Sequence, residues 1–317
     1  MSSIASNDSR NITSSASVLR GWAQLPPEYA IPSTAPTLAE AQHYCRNLAR
    51  THYENFSVAT WFLPDSLRQH FFNVYAYCRI SDDLGDEVGD PGTALQLLDQ
   101  WEAELNACYS GDPRHPVFVA LAETVQKFEI PKQPFADLLT AFRQDQTITR
   151  YPSFHDLLGY CRNSANPVGR LVLYVCGYRD AERQALSDLT CTALQLANFW
   201  QDVSVDFAKG RIYLPLEDLH RFAVSETDIA SQQNTAAFCD MMRFQVDRAR
   251  DWFERGLPLA EKVDRNLAID IELFTRGGQE ILNAIERQGY RVLGHRPVIS
   301  KPRKLALVAR AALGKLL

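Results

Sequence analysis

From Leu38 onward, apolar positions recur at intervals of three and four, and strand-like alternation is nearly absent. That is the period of helices with one buried face. Thr37 is placed to cap a first helix through "LAEAQHYCRNLARTHYENF", and Pro64 stops the "SVATWFL" stretch behind it. Asp65 or Ser66 would cap a second helix with Leu67, Phe71, Val74 and Cys78 on its buried side, ended or loosened by Gly85, Gly89 and "DPG". "TALQLLDQWEAELNACY", "VFVALAETVQKFEI" and "PFADLLTAFRQDQTI" read as three more helices, the last two separated by Pro131. "FHDLLGYCRNSANPVGRLVLYVCGY" is a long apolar helix interrupted at Pro167 and Gly169. The interruption is either a boundary between two helices or a kink that leaves room beside a ligand.

The next helix carries Leu189, Ala193, Leu196, Trp200 and Val203 as an apolar stripe and ends near Lys209 and Gly210, with "RIYLP" as an extended exit. Two amphipathic helices follow, "TAAFCDMMRFQVDRARDWFERGLPLA" and "NLAIDIELFTRGGQEILNAIERQGY". The pattern predicts an all-α fold in one domain over residues 37–290, behind an irregular, disordered lead-in over 1–36. Residues 291–317 form a basic amphipathic extension: from Arg287 to Leu317 there are eight Lys or Arg and no acid. "KPRKLALVARAALGKLL" alternates basic and apolar faces as an interfacial helix would, which predicts peripheral membrane contact. The alternative is a helix docked on the body with a charged outer face.

A net charge of −5 over 317 residues gives no case for nucleic-acid binding. Seven cysteines without zinc or CxxC spacing suit a reducing compartment, no apolar run reaches a membrane span, and the N-terminus lacks the apolar stretch of a secretory signal. A cytoplasmic protein is expected.

What changes the picture is a pair of acidic stretches, "YCRISDDLGDE" at Tyr77–Glu87 and "NFWQDVSVD" at Asn198–Asp206. Asp82 and Asp86 are four residues apart and share a helix face; so do Asp202 and Asp206, with Asn198 and Gln195 earlier on that line. Like charges at that spacing weaken an isolated helix by a few tenths of a kcal/mol, so a compensating cation is expected. Mg²⁺ takes one or two protein carboxylates and fills its other positions with water and phosphate oxygens. Two such clusters across a cavity therefore point to several Mg²⁺ ions gripping a polyphosphate or diphosphate. A di-iron bundle would need Glu-x-x-His motifs, glycoside hydrolysis would need one carboxylate on each side of a sugar, and no HExxH, Walker A or dinucleotide motif is present.

In this order, "HYENF", "YAYCRISDDLGDE" and "NFWQDVSVDFAKGRIYLP" resemble the squalene/phytoene synthase family, over about Tyr44 to Tyr290. The resemblance implies an isoprenoid synthase fold around a central apolar cavity, Mg²⁺, and a prenyl diphosphate substrate. It implies metal binding by Asp82, Asp83, Asp86, Asn198, Asp202 and Asp206, with Asn198 and Gln195 also lining the second helix toward substrate. Tyr75 and Arg79 match positions that contact diphosphate, His52 a substrate contact on the first helix, and Arg211, Arg276 and Tyr290 further family positions. Without the resemblance, Arg79 would be read as pairing with Asp82 or Asp83, and His52 and Tyr290 as packing residues.

Three departures, Gln201 before the second aspartate pair, "DDLGDE" in the first motif and "SANPVGR" in the broken helix, are similar to the hydroxysqualene synthase (HpnC) branch of bacterial hopanoid pathways. That branch implies a carbon–oxygen lyase converting presqualene diphosphate to hydroxysqualene without NADPH, working beside sister pathway enzymes. The alternatives are a prenyltransferase making presqualene diphosphate, squalene or phytoene, and a scaffold subunit whose acidic faces bind a basic partner.

Overall fold

The computed structural model describes residues 30–51 and 64–316, and within these it is helical, with one isolated parallel bridge between Arg150 and Ile212. His52 and the "HYENF" motif lie outside the described residues, as do residues 1–29. Helix α1 (Leu38–Thr51) starts at a reciprocal cap: the Thr37 amide donates to Glu40 at 2.9 Å, and the Glu40 amide to the Thr37 hydroxyl. Helix α2 (Asp65–Asp86) has Pro64 at its cap position, so neither Asp65 nor Ser66 caps it; Asp65 is its first helical residue, paired with Arg68. Helices α3 (Pro91–Ser110), α4 (Pro116–Phe128) and α5 (Gln133–Gln144) complete the first half. Their core gathers Tyr77, Trp101, Phe118 and Phe135.

The "NPVG" break is a boundary. Helix α6 (Phe154–Ser164) ends at Ala165, and α7 (Asn166–Val175) begins with Pro167 in its first turn, where a missing N–H costs nothing. Asn166 is buried and accepts from the Thr192 hydroxyl at 2.9 Å, fastening α7 to the long helix α8 (Ala181–Gln201). Gly169 allows this approach, because a Cβ there would collide with Ser187 and Cys191 of α8.

The second acidic helix is not continuous to Lys209. It breaks at Asp202, and a short helix α9 (Val203–Ala208) resumes the chain. The turn survives the break, since the Asp206 amide still donates to the Asp202 carbonyl at 2.8 Å. The "RIYLP" exit leads to two short helices outside the main periodic pattern, α10 (Leu216–Arg221) and α11 (Glu226–Ala230). Helix α12 (Ala236–Gly256), a 3-10 turn (Leu257–Lys262) and helix α13 (Arg265–Arg287) close the second half. α8 packs against α7, α12 and α13, and its stripe delivers Ala193, Leu196 and Trp200 into a second core with Phe238 and Phe253. Val292 and Leu293 also enter that core, ahead of helix α14 (Lys301–Leu316), which lies on α13.

Candidate active site

The two cores meet around a chamber of about 930 Å³ lined by α2, α5, α6, α7, α8, α9 and α13. Its acidic wall on α2 exists because the opposite face of that helix is locked. Tyr77, Ile80, Ser81 and Leu84 are buried; the Tyr77 hydroxyl donates to the Phe135 carbonyl at 2.8 Å and the Trp101 indole to Ser81 at 2.9 Å. With that face fixed, helical geometry turns Tyr75, Arg79, Asp82 and Asp86 into the chamber. From α8 and α9 come Gln195, Asn198, Phe199, Asp202 and Asp206, the cap of α9 adds Lys209, and the extended exit adds Arg211 and Tyr213. Nine of the residues singled out in the sequence thus share one cavity: Tyr75, Arg79, Asp82, Asp86, Gln195, Asn198, Asp202, Asp206 and Arg211.

Three others do not line it. Asp83 points away from the chamber, buried, where the Arg79 guanidinium donates to it at 3.1 Å. Arg276 lies along α13, paired with Glu272 at 2.9 Å. Tyr290 is buried at the C-terminal end of that helix in a left-handed conformation (φ 62°), with the Arg243 guanidinium over its ring.

The compensating cations are present, unevenly. Asp86 is gripped by Arg211 at 2.9 Å and Lys209 at 3.1 Å. Burial pushes its carboxyl up, but these two cations outweigh that and leave it below the usual aspartate range. Asp202 is held by Arg296, whose second nitrogen reaches the carboxylate at 3.0 Å and the Gln201 side chain at 3.2 Å. Asp82 and Asp206 have no ion-pair partner among the described residues. Burial, followed by the charge of its neighbour Asp86, raises Asp82 to about 6. Burial, followed by the charge of Asp202, raises Asp206 to about 7.

Among the described residues, no three acidic or imidazole groups are gathered tightly enough to hold one ion. The donor set instead offers pairs of hard oxygens on opposite walls, with Asn198 beside one pair. That suits Mg²⁺, which needs only one or two protein carboxylates and finds its other oxygens on water and phosphate. The strain of like charges at Asp82 and Asp206 would be relieved by a divalent cation, so the residues fit the ion.

Beneath the carboxylates the wall is aromatic. Phe199 and Tyr213 stack with centroids 3.9 Å apart, and Tyr160 lies against both. The Tyr160 hydroxyl donates to Asp145 at 2.8 Å, and burial lifts that carboxyl to about 7. Tyr160, Asp145 and Arg296 escaped the sequence reading. Tyr213 escaped it too, since "RIYLP" reads only as an extended exit, and no local pattern distinguishes Asp145 in "RQDQTI" or Arg296 in "LGHRPV" from surface charges.

An all-α body whose two aspartate-bearing helices face each other across one chamber defines the isoprenoid synthase fold. The family model for squalene/phytoene synthase matches residues 49–303, and the chain belongs to that family. It is 44% identical to the crystal structure of squalene synthase HpnC from Alicyclobacillus acidocaldarius, with a TM-score of 0.77 over 85% of this chain and 98% of that one. A solved dehydrosqualene synthase shares 27% identity and a TM-score of 0.79 over 87% of this chain and 96% of its own. The 15-cis-phytoene synthase of Synechocystis is 33% identical over 291 residues, 86% of each chain.

Proposed function

We propose that this protein is a hydroxysqualene synthase: a carbon–oxygen lyase of hopanoid synthesis that ionises presqualene diphosphate and captures the rearranged cation with water. The observation that carries the choice of branch is the 44% identity to HpnC across nearly all of that structure, against 33% and 27% for the phytoene and dehydrosqualene synthases. Asp82 and Asp86 on one wall and Asn198, Asp202 and Asp206 on the other would hold Mg²⁺, whose chemistry there is to offset the charge growing on a departing diphosphate. Arg79, Lys209 and Arg211 bring fixed positive charge to the same rim, so the leaving group meets preorganised donors.

The cation left behind sits among Phe199, Tyr213 and Tyr160, whose ring faces stabilise positive charge by ~0.5–2 kcal/mol each when desolvated. When water attacks, its oxygen lone pair forms the new C–O bond and one proton must leave. Asp145, with a pKa of about 7 and already bonded to the Tyr160 hydroxyl, is suited to take that proton directly or through the phenol. No hydride donor enters this scheme, so NADPH is not required.

Purified protein with Mg²⁺ and presqualene diphosphate, without NADPH, is expected to release diphosphate and a C30 alcohol. The phytoene synthases among its relatives favour a second reading, a prenyltransferase joining two prenyl diphosphates. Formation of phytoene or presqualene diphosphate from smaller diphosphates would decide for that reading.

A further inference from the structure

We propose that the C-terminal segment docks the protein on an anionic lipid bilayer through a face carrying Val298, Lys301, Lys304 and Leu305, beside the rim of the chamber. Charge is the first observation. All 38 acidic residues of the chain precede Arg287, and the eight Lys and Arg from there to Leu317 face no acid within their own segment. Exposure is the second. Val298 is 65% and Leu305 71% exposed, the two most exposed large apolar side chains among the described residues.

Lys301, Lys304 and Leu305 are spaced three and four apart, on one line of α14. The neighbouring positions are spent on the body: Arg303 pairs with Glu280 of α13 at 2.8 Å, and Leu307 is half-buried. The line left outward is thus basic and apolar together. An acidic protein surface would satisfy the lysines and leave Val298 and Leu305 in water, and a second copy would set lysine against lysine. A bilayer interface satisfies both, with headgroup phosphates for the lysines and the acyl boundary for the apolar tips. Among the described residues no helix is long and apolar enough to cross the membrane, so contact is confined to the surface.

Position is the third observation. The Gln201 side chain donates to the Pro297 carbonyl at 2.6 Å and Arg296 holds Asp202, so the backbone passes from the chamber's carboxylate to the exposed Val298 within two residues. Docking there would hold the opening of the chamber against the bilayer, where a hydrocarbon substrate is dissolved. The docking does not depend on which reaction the chamber performs.

The test is co-sedimentation of the full chain with vesicles of phosphatidylcholine alone and of an equal mixture with phosphatidylglycerol. Binding to the mixed vesicles only, reversed by high salt, is expected. Lys301→Gln with Lys304→Gln should weaken partitioning about thirtyfold, and Leu305→Gln or Val298→Ser roughly tenfold. Turnover on detergent-dispersed substrate should stay at the parent level in all of them. A parent protein that stays in the supernatant, variants that bind as well as the parent, equal binding to both vesicle types, or binding only when another protein is embedded would each overturn the proposal.

Discussion

On α2, Asp82 and Asp86 project from an unbroken helix whose back face is fixed by Tyr77 and Trp101, whereas Asp202 stands at a break and Asp206 in a six-residue helix beyond it. The cations differ as well. Asp86 draws Lys209 from the end of α9 and Arg211 from the extended exit, more than 120 residues on; Asp202 draws Arg296 from a segment 94 residues on. Yet of the two aspartates that each motif turns into the chamber, one is paired and one has no ion-pair partner among the described residues, and in each case the latter is pushed toward neutrality. Backbone geometry is therefore not what the two regions have in common. What they share is a distribution of charge, in which the protein's own cations neutralise one chamber aspartate and leave the other unneutralised.

Substitutions at the unpaired members should have the largest effect. Asp82→Asn and Asp206→Asn are expected to lower turnover by about a thousandfold, the scale of one lost transition-state electrostatic contact. Their melting temperature without metal should be unchanged or higher, because a disfavoured buried charge is gone. The paired members should behave oppositely. Asp86→Asn and Asp202→Asn should also cut turnover but lower the metal-free melting temperature, by a few degrees for each ~1 kcal/mol lost. Equal thermal behaviour of the two sets would dissolve the distinction.

Asp145→Asn tests the aromatic wall in the same way. A loss of about a hundredfold in kcat with KM little changed is expected, together with a shift from alcohol to olefin products as cations lose a proton elsewhere. Unchanged product ratios would remove Asp145 from the capture step.

The unpaired carboxylates also set a pH dependence. Asp82, Asp206 and Asp145 hold their protons to about 6 and about 7 in the fold, whereas an unfolded chain releases them near the ordinary aspartate value. The folded state thus binds more protons across that window, and metal-free stability should fall as pH rises through it. Mg²⁺ binds the ionised forms, so its stabilisation, read as a thermal shift, should be larger at about pH 8 than at about pH 5. The smallest effect is expected from Arg296→Met. Its partly exposed pair is worth only about 0.5–1 kcal/mol, but half-saturation of the Mg²⁺ thermal shift should move to lower concentration, since the guanidinium no longer competes for Asp202.

Much of this was readable from spacing. A four-residue interval fixes two side chains on one helix face whatever the tertiary fold, so the chamber lining by Asp82, Asp86, Asp202 and Asp206 followed from local geometry. The same one-turn interval offered Arg79 a pair with Asp83, which the structure forms, but it could not say that Asp83 is buried away from the chamber. Nor could it reveal the break at Asp202, where neither proline nor glycine marks the chain. Arg276 and Tyr290 were tied to the site by family position alone, and the packing around α13 turns both elsewhere. Asp145 and Arg296 were invisible for a plainer reason: each gains its meaning from a partner that only the tertiary fold brings close.

The reach of Arg296 back to Asp202 bears on how the molecule is assembled. Ribosomal synthesis lays down both acidic helices long before their last counter-ion emerges. Until then, of the four chamber aspartates only Asp86 has its cations already in the chain. The chain that supplies this last charge is also the chain that lies, in space, at the chamber's doorway.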